Sequence, residues 1–223
     1  TLILYMNNLS NKYKPKKIED FLGNSDAVNK LQDWIDNINN EEYKNAVLIS
    51  GITGIGKTTL AKIFLKENNY KVHYFNACDV RSSKSLTDSL EKVIHQKKIN
   101  IGNNKVAILM DELDGMGVGD RGGLSELIKF INPNRGKRSK KQNNVVKKNV
   151  IPIIFINNNI FDKKINDLRK DCTDIFLNRI NKEDIFAYFW NIAKIENIMI
   201  NEKKLMKIIE ECNSDIRRIF FIL

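Results

Sequence analysis

Three acidic residues, Asp111, Glu112 and Asp114, fall within four positions in the stretch ILMDELDG, directly after an apolar run. Carboxylates this close repel one another, and each loses solvation as it approaches a hydrophobic core. An ordinary turn needs only one acid. The cluster therefore indicates a bound cation, a water molecule to be activated, or both.

A glycine-rich stretch, SGITGIGKTTL, lies earlier in the chain and has the spacing GxxxxGK[ST]. Glycines let the backbone turn tightly, so that its N–H groups converge on phosphate oxygens, and the helix that follows adds its positive end. We expect Lys57 to contact the β- and γ-phosphates of a nucleotide and Thr58 to bind Mg²⁺. The residues expected to bind the nucleotide here are Gly51, Ile52, Thr53, Gly54, Ile55, Gly56, Lys57, Thr58 and Thr59.

The phosphate loop gives the first two acids specific roles. Asp111 ends an apolar run at the place where a second Mg²⁺-binding acid is needed, and we expect it to hold the metal through water. Glu112 is the candidate general base, which polarises the water that attacks the γ-phosphate. For Asp114 we favour a structural or capping role over a role at the metal.

Two further residues are candidates for sensing the nucleotide. Asn158 follows the apolar run in VIPIIFINNN and could hydrogen-bond the γ-phosphate or the attacking water; a simple asparagine turn is the alternative. In SDIRRIF, Ser214 or Asp215 is expected to cap a helix whose first turn contains Arg217. An arginine there opposes the helix dipole, which indicates a nearby anion such as a nucleotide phosphate, although a solvated arginine remains possible.

Apolar runs alternate with helical periodicities along residues 1–180, and this predicts an α/β domain with a parallel five-stranded sheet flanked by helices. From about residue 181 the pattern becomes purely helical, which predicts a small three-helix domain over 181–223. The predicted strands are 45–50, 71–77, 105–112, 150–159 and 173–179. The predicted helices are 26–38, 58–68, 85–96, 122–131, 182–197, 201–213 and 214–223.

The composition limits the other possibilities. The chain has 223 residues and a formal net charge of +10, and seven basic residues without an acid lie in the segment 134–148. We expect the insertion at about 133–149 to be a disordered surface loop.

No apolar run has membrane-spanning length and no signal peptide is recognisable, so neither a membrane nor secretion is expected. Cys78, Cys172 and Cys212 contain no CxxC pair, which favours reduced thiols. The apolar ending IFFIL suggests a fragment or a chain that continues.

From about Tyr13 onward, the sequence resembles the AAA+ ATPases of the clamp-loader group, and among them the large subunit of replication factor C of eukaryotic type. The stretch MDELDGMGVGDRGGL carries the most specific part of this resemblance. IPIIFINNN resembles the first sensor of these proteins and SDIRRIFFIL the second, with Arg217 in the arginine position. NKYKPKKIEDFLGN resembles their N-terminal box, which implies that the residues near the adenine are Tyr13, Lys14, Pro15 and Ile18.

One departure concerns the arginine finger. Small clamp-loader subunits carry Ser-Arg-Cys before the fifth strand, and that arginine reaches the ATP site of a neighbouring subunit. Here the corresponding residues are Lys170, Asp171 and Cys172. The resemblance therefore implies a chain that receives a finger and gives none. Fingers contribute about 10³ to 10⁵ in rate, so the isolated chain should hydrolyse ATP poorly.

The resemblance implies an ATP- and Mg²⁺-dependent subunit that assembles with four small subunits into a hetero-pentamer. Such complexes open a ring-shaped sliding clamp and place it on primer–template DNA in replication and repair. This implies a nuclear protein and a collar domain after residue 223. Arg81 and Lys84 are candidates for contacts with the DNA backbone, and solvated surface charges are the alternative. The alternatives are a non-catalytic ATP-binding scaffold, another AAA+ DNA-remodelling ATPase, and a nucleic-acid-binding module that depends on the 134–148 segment.

Overall fold

A computed structural model of the chain describes residues 9–40, 42–77, 87–93, 105–116, 123–132, 150–158 and 165–223. Several features singled out in the sequence lie outside these ranges. They include Cys78, Arg81, Lys84, residues 117–122 of the stretch MDELDGMGVGDRGGL and the basic insertion at 133–149.

The described strands form one parallel five-stranded sheet with the order β2-β3-β4-β1-β5. This confirms the predicted α/β architecture, and the predicted strand positions agree to within a few residues. The non-sequential order arises because each connection crosses one face of the sheet. The strands are β1 Ala46–Ser50, β2 Tyr70–Asn76, β3 Lys105–Asp111, β4 Ile153–Asn157 and β5 Thr173–Phe176.

The three central strands are apolar on both faces because helices cover the sheet on each side. In β1, Val47 and Ile49 face one hydrophobic cluster, while Ala46 and Leu48 face the other. The same alternation runs through β3 and β4. Every residue of β1 and β4 is buried, which explains why their sequences read as uninterrupted apolar runs.

The helices of this part are α1 Ser25–Asp36, α2 Lys57–Glu67, α3 Gly123–Ile131 and α4 Asn166–Lys170, and residues 87–93 are also helical. Helices α1 and α2 pack on one face of the sheet, and α3 and α4 on the other. The apolar residues of α1 form its buried face, and Trp34 donates its indole N–H to the Lys44 carbonyl at 2.8 Å. Helix α4 is absent from the sequence prediction because five residues are too few to show a helical period.

The C-terminal part consists of α5 Lys182–Ile195, α6 Glu202–Glu211 and α7 Ile216–Ile222. These helices share a hydrophobic cluster of their own, to which Leu9 and Ile180 also belong. Asn201 and Asp215 cap α6 and α7 by accepting hydrogen bonds from backbone N–H groups at 2.8 and 3.0 Å. Asp215 is thus the cap of α7, one of the two candidates from the sequence.

Two other expectations concern thiols and membranes. Cys172 and Cys212 are buried free thiols, and burial raises the pKa of Cys172 to about 12. Within the described ranges, every helix is too short or too polar to cross a bilayer.

The central strand β4 provides a test of core packing. Phe155 is fully buried within the cluster on the α3 side of the sheet. Phe155→Ala should lower the free energy of unfolding by about 3–5 kcal/mol, because it removes apolar contacts and leaves a cavity. Urea denaturation followed by circular dichroism measures this change. The control is Phe221→Ala at a position that is 63% exposed, where a change within about 0.5 kcal/mol is expected. Equal effects of the two variants would contradict the described packing.

Candidate nucleotide-binding site

Three strands end at the same edge of the sheet and bring the predicted residues together. Strand β1 ends at Ser50, β3 at Asp111 and β4 at Asn157, and Ser50 pairs directly with Asn157. Carboxyl ends of parallel strands share one edge, which is where such sheets bind ligands. The phosphate loop leaves β1 at this edge and leads into α2.

Glycine is required at two positions of the loop by its surroundings. Gly54 and Gly56 have positive φ values of 76° and 96°. A side chain at Gly54 would overlap the carboxylate of Asp215, and one at Gly56 would come within 2.8 Å of the Phe21 ring. The loop therefore packs closely against both the N-terminal segment and α7.

Lys57 lies inside the loop, with only 5% of its surface exposed. Its ammonium donates to the carbonyl oxygens of Gly51 and Ile52 at 2.8 and 2.6 Å. Burial lowers the pKa of Lys57 to about 8, and the nearby carboxylate of Asp111 partly opposes this shift. The lysine is thus a cation held beside the loop without a direct carboxylate contact, which suits an anionic ligand.

Asp111 is 7% exposed and is held by backbone and side-chain donors. Thr58 donates its hydroxyl to Oδ2 at 2.7 Å, and the Glu112 N–H donates to Oδ1 at 3.0 Å. Because the Thr58 proton points to Asp111, lone pairs of the Thr58 oxygen are left for a metal. The pair therefore fits the role predicted for it, in which Thr58 binds Mg²⁺ and Asp111 holds a metal-bound water.

Protein ligands alone would not complete this metal site. Within the described ranges, no three His, Cys, Asp or Glu side chains converge closely enough to hold a metal. Mg²⁺ usually keeps several waters and binds through one or two protein groups and substrate phosphates. The arrangement therefore suits a metal that arrives together with a nucleotide.

Glu112 has a left-handed backbone conformation, with φ 59° and ψ 44°. This conformation is uncommon for a residue other than glycine and costs about 1–3 kcal/mol. Its exposed side chain accepts a hydrogen bond from Asn76 Nδ2 at 2.9 Å. Strain of this kind concentrates at functional sites, and here it directs a carboxylate into the cleft beside Lys57.

Asn158 lies immediately after β4 and lines the same cleft. Its side chain donates to Asp114 at 3.3 Å, so Asp114 supports Asn158, in agreement with the structural role favoured for it. The preceding Asn157 is completely buried within the sheet. Asn158 is thus the asparagine that the structure brings to the candidate phosphate site.

The cleft beside Lys57, which Thr58, Asp111, Glu112 and Asn158 also line, is called the phosphate cleft. A second cavity adjoins it and lies between the loop, the N-terminal segment and the C-terminal helices. Of the residues predicted near the base, Tyr13, Lys14 and Pro15 line this cavity. Ile18 does not; it packs against the main core, and its N–H donates to Glu67 at 3.0 Å. The apolar side chains that line the cavity in addition are Phe21, Leu22, Ile55, Ile180, Tyr188, Ile216 and Phe220.

Arg217 lines both the apolar cavity and the phosphate cleft. The start of α7 lies directly on the loop, since the Ile216 N–H donates to the Gly54 carbonyl at 3.2 Å. Arg217 is also close enough to Lys57 to lower the pKa of that lysine. The structure therefore places Arg217 beside the phosphate loop, where the two cavities meet.

The sequence analysis missed several residues that the tertiary structure brings to the site. Asn76 and Tyr74 lie two positions apart on β2 and reach Glu112 and Asp111, respectively. Their spacing places them on one face of the strand, which is a signal that could have identified them. Phe21, Tyr188 and Phe220 come from three separate segments, and no local pattern connects them.

Asp171, which stands where small clamp-loader subunits carry the finger arginine, contacts a residue of its own chain. Asp171 accepts a hydrogen bond from Asn132 at 3.0 Å, and Lys170 pairs with Asp167 at 3.0 Å. The neighbouring Arg169 lies 3.4 Å from both Ser50 Oγ and Asp174 Oδ2. These side chains are thus engaged within the chain that carries them.

Residues 47–180 match the ATPase family associated with various cellular activities (AAA). The chain belongs to this AAA family. The match covers β1, the phosphate loop, the acidic cluster and β5, which are the elements that build the phosphate cleft. The AAA assignment and the observed sheet confirm the predicted P-loop ATPase fold.

Curated relatives of this AAA domain are replication factor C large subunits. Replication factor C subunit 1 of Schizosaccharomyces pombe is 29% identical over 96% of this chain, and that of Arabidopsis thaliana is 30% identical over 92%. The replication factor C large subunit of Methanococcus aeolicus is 29% identical over 94% of this chain. The chain spans 24%, 23% and 41% of these three proteins, respectively. The resemblance seen in the sequence is therefore confirmed.

Among solved structures, the RuvB Holliday junction branch migration motor of Thermotoga maritima aligns with a TM-score of 0.65. The alignment covers 93% of this chain and 63% of that chain, at 14% sequence identity. At this level of identity the similarity concerns the fold alone.

Lys57 should make nucleotide binding depend on pH. Its pKa of about 8 means that it loses its proton as the pH rises through that value, and a neutral amine attracts phosphate weakly. ATP affinity should therefore be lower at pH 9 than at pH 7. Fluorescence titration with a labelled ATP analogue over this range measures the effect. An affinity that stays constant would show that Lys57 is not the phosphate contact.

Asn76 should restrain the candidate base. Its amide occupies one oxygen of Glu112, and hydrogen bonds to charged groups contribute about 1.5 kcal/mol at the low end. Asn76→Ala should therefore raise basal ATP turnover by up to about tenfold. The control is Asn37→Ala, which removes a similar amide–carboxylate contact, to Asp33 at 3.1 Å, away from the site. Unchanged turnover in Asn76→Ala would mean that this contact does not restrain Glu112.

Proposed function

We propose that this chain is the ATP-binding and ATP-hydrolysing part of a DNA clamp-loader large subunit. Such a subunit opens a sliding clamp and helps to load it on primer–template DNA during replication and repair. The observation that carries the proposal is the convergence of the phosphate loop, the Thr58–Asp111 pair and Glu112. Relatives named as replication factor C large subunits support the biological setting.

The proposed reaction is hydrolysis of the bond between the β- and γ-phosphates of ATP. The loop N–H groups and Lys57 bind the phosphates, and Asn158 and Arg217 contact the γ-phosphate or the attacking water. Glu112 polarises that water, whose oxygen bonds to the γ-phosphorus as the bridging oxygen leaves with ADP. Bound Mg²⁺, held through Thr58 and Asp111, would offset the charge on the phosphates.

The adenine is proposed to occupy the apolar cavity beside the loop. Tyr13, Lys14 and Pro15 form one wall, and Tyr188 and Phe220 of the C-terminal helices form another. This lining supports the proposed division into an α/β domain over 1–180 and a helical lid over 181–223. A ligand between these walls would contact both parts.

The chain is proposed to receive an arginine finger from a neighbouring subunit and to give none. Lys170, Asp171 and Cys172 stand where a finger-bearing subunit has Ser-Arg-Cys. The contacts of Asp171 and Arg169 within the chain agree with this proposal. Full turnover would then require assembly with four small subunits.

The cellular setting follows from the same relatives. Replication factor C subunit 1 of eukaryotes supports a nuclear location, while similar large subunits also occur in archaea.

A non-catalytic scaffold that only binds ATP is the second candidate. The strained backbone and directed carboxylate of Glu112 favour the hydrolysing subunit, since a scaffold has no need of a general base.

The deciding experiment compares the full-length protein with its Glu112→Gln variant, each assembled with the small subunits. ATP turnover is measured with and without the clamp and primed DNA. We expect the clamp and DNA together to stimulate ATP turnover by the wild type. Glu112→Gln should lower the stimulated turnover at this site by a factor of about 10² to 10⁴, because glutamine cannot act as the base.

The contribution of this one site is isolated by keeping the small subunits unchanged in both assemblies. ATP binding by Glu112→Gln, measured by filter retention, serves as the control for folding. Stimulated turnover that is unchanged while ATP still binds would favour the scaffold. A lack of stimulation by the clamp and DNA in the wild type would argue against a clamp loader.

A further inference from the structure

Tyr74 contacts the candidate metal-binding acid Asp111 from β2, the strand that also carries Asn76. Its hydroxyl donates to Oδ2 of Asp111 at 3.3 Å, and it lines the phosphate cleft. The same oxygen accepts the Thr58 hydroxyl at 2.7 Å. One carboxylate oxygen therefore receives two hydroxyl donors, one from α2 and one from β2.

The position of Tyr74 is set by both of its neighbours. In the β2–β3 register Asn76 lies opposite Asp111, so Tyr74, two residues earlier on the same face, reaches along the sheet to the carboxylate. On the other side, the ammonium of Lys62 lies 4.0 Å from the centroid of the Tyr74 ring. Lys62 and Thr58 are four residues apart on α2 and face the same way. The ring is thus held against the helix that carries the metal-binding hydroxyl.

The donors around Asp111 differ between its two oxygens. A carboxylate has about four acceptor positions, two on each oxygen. Thr58 and Tyr74 take both positions of Oδ2, while Oδ1 accepts the Glu112 N–H at 3.0 Å. Among the contacts of the described residues, acceptor capacity for a metal-bound water therefore remains on Oδ1. Without the tyrosine hydroxyl, Oδ2 would regain a free position and the carboxylate could rotate.

We propose that Tyr74 is a positioning residue for Mg²⁺. The hydroxyl groups of Tyr74 and Thr58 together occupy both acceptor positions of Asp111 Oδ2. Oδ1 is then the oxygen that would accept a hydrogen bond from water bound by the metal. This inference rests on the proposed binding of ATP and Mg²⁺ at the same site. Outer-shell partners of this kind orient metal ligands, and their removal typically weakens metal affinity 10- to 100-fold.

The test is Tyr74→Phe, which removes the hydroxyl but keeps the ring beneath Lys62. The side chain is 44% exposed, so the substitution leaves the core intact. The matched control is Tyr70→Phe on the same strand, whose ring lies 5.5 Å from the Lys105 ammonium, away from the phosphate cleft. Each variant is made in the full-length protein assembled with its small subunits.

The measurement is binding of a fluorescent ATP analogue, first in EDTA and then during titration with MgCl₂. Tyr74→Phe should raise the Mg²⁺ concentration at half-saturation about tenfold. This is the low end of the 10- to 100-fold effect typical of outer-shell partners, because a hydrogen bond of 3.3 Å is long. Binding in EDTA should equal that of the wild type. Tyr70→Phe should match the wild type under both conditions.

Two results would overturn the role of Tyr74. One is equal half-saturation in Tyr74→Phe and Tyr70→Phe. The other is weaker binding by Tyr74→Phe in EDTA by the same factor as in Mg²⁺, which would place the hydroxyl at the nucleotide. A wild type that binds the analogue without any dependence on Mg²⁺ would instead contradict the proposed metal site itself, so the two failures are distinguishable.

Discussion

Two groups of opposite charge, Lys57 and Asp111, lie almost completely buried at one edge of the sheet, and the surrounding structure has to satisfy both. Burying a charge is costly unless it is hydrogen-bonded. Lys57 uses the carbonyl oxygens of its own loop, and Asp111 uses Thr58, Tyr74 and the Glu112 N–H. These contacts require β1, β3 and α2 to meet at one point. The parallel sheet makes this meeting possible because its strands end together.

The C-terminal helices join the site through short-range contacts. Asp215 caps α7 and lies against Gly54, while the Ile216 N–H donates to the Gly54 carbonyl. Tyr188 donates its hydroxyl to the Tyr13 carbonyl at 2.9 Å, which ties the N-terminal segment to α5. The apolar cavity lies between these contacts. A molecule that fills it would therefore contact the C-terminal helices as well as the phosphate loop and the N-terminal segment.

Membership of the AAA family explains the phosphate cleft but does not choose among the activities built on that fold. RuvB shares the fold at 14% identity, whereas replication factor C large subunits share about 30% identity over nearly the whole chain. Function depends on the residues grafted onto a fold. In this chain the informative positions are the strained Glu112 and the Lys-Asp-Cys triplet at 170–172, and both support the proposal of a site that hydrolyses ATP with an arginine finger from a neighbouring subunit.

The sequence by itself determined the α/β class and most of the residues that line the phosphate cleft, namely the glycine-rich loop, Asp111, Glu112, Asn158 and Arg217. Both are encoded locally: apolar runs predict buried strands, and the glycine spacing places Lys57 and Thr58 at the start of a helix.

The apolar cavity and the positioning of the acids were decided only by the tertiary structure. Ile18 was expected near the adenine but is partly buried against the core, away from the cavity. Phe21 and Phe220, nearly two hundred residues apart, line that cavity together. Tyr74 and Asn76 reach Asp111 and Glu112 because β2 pairs with β3 in one particular register. Local patterns record which residues are buried or turned, but they do not record which distant segments become neighbours, because that depends on the packing of the whole chain.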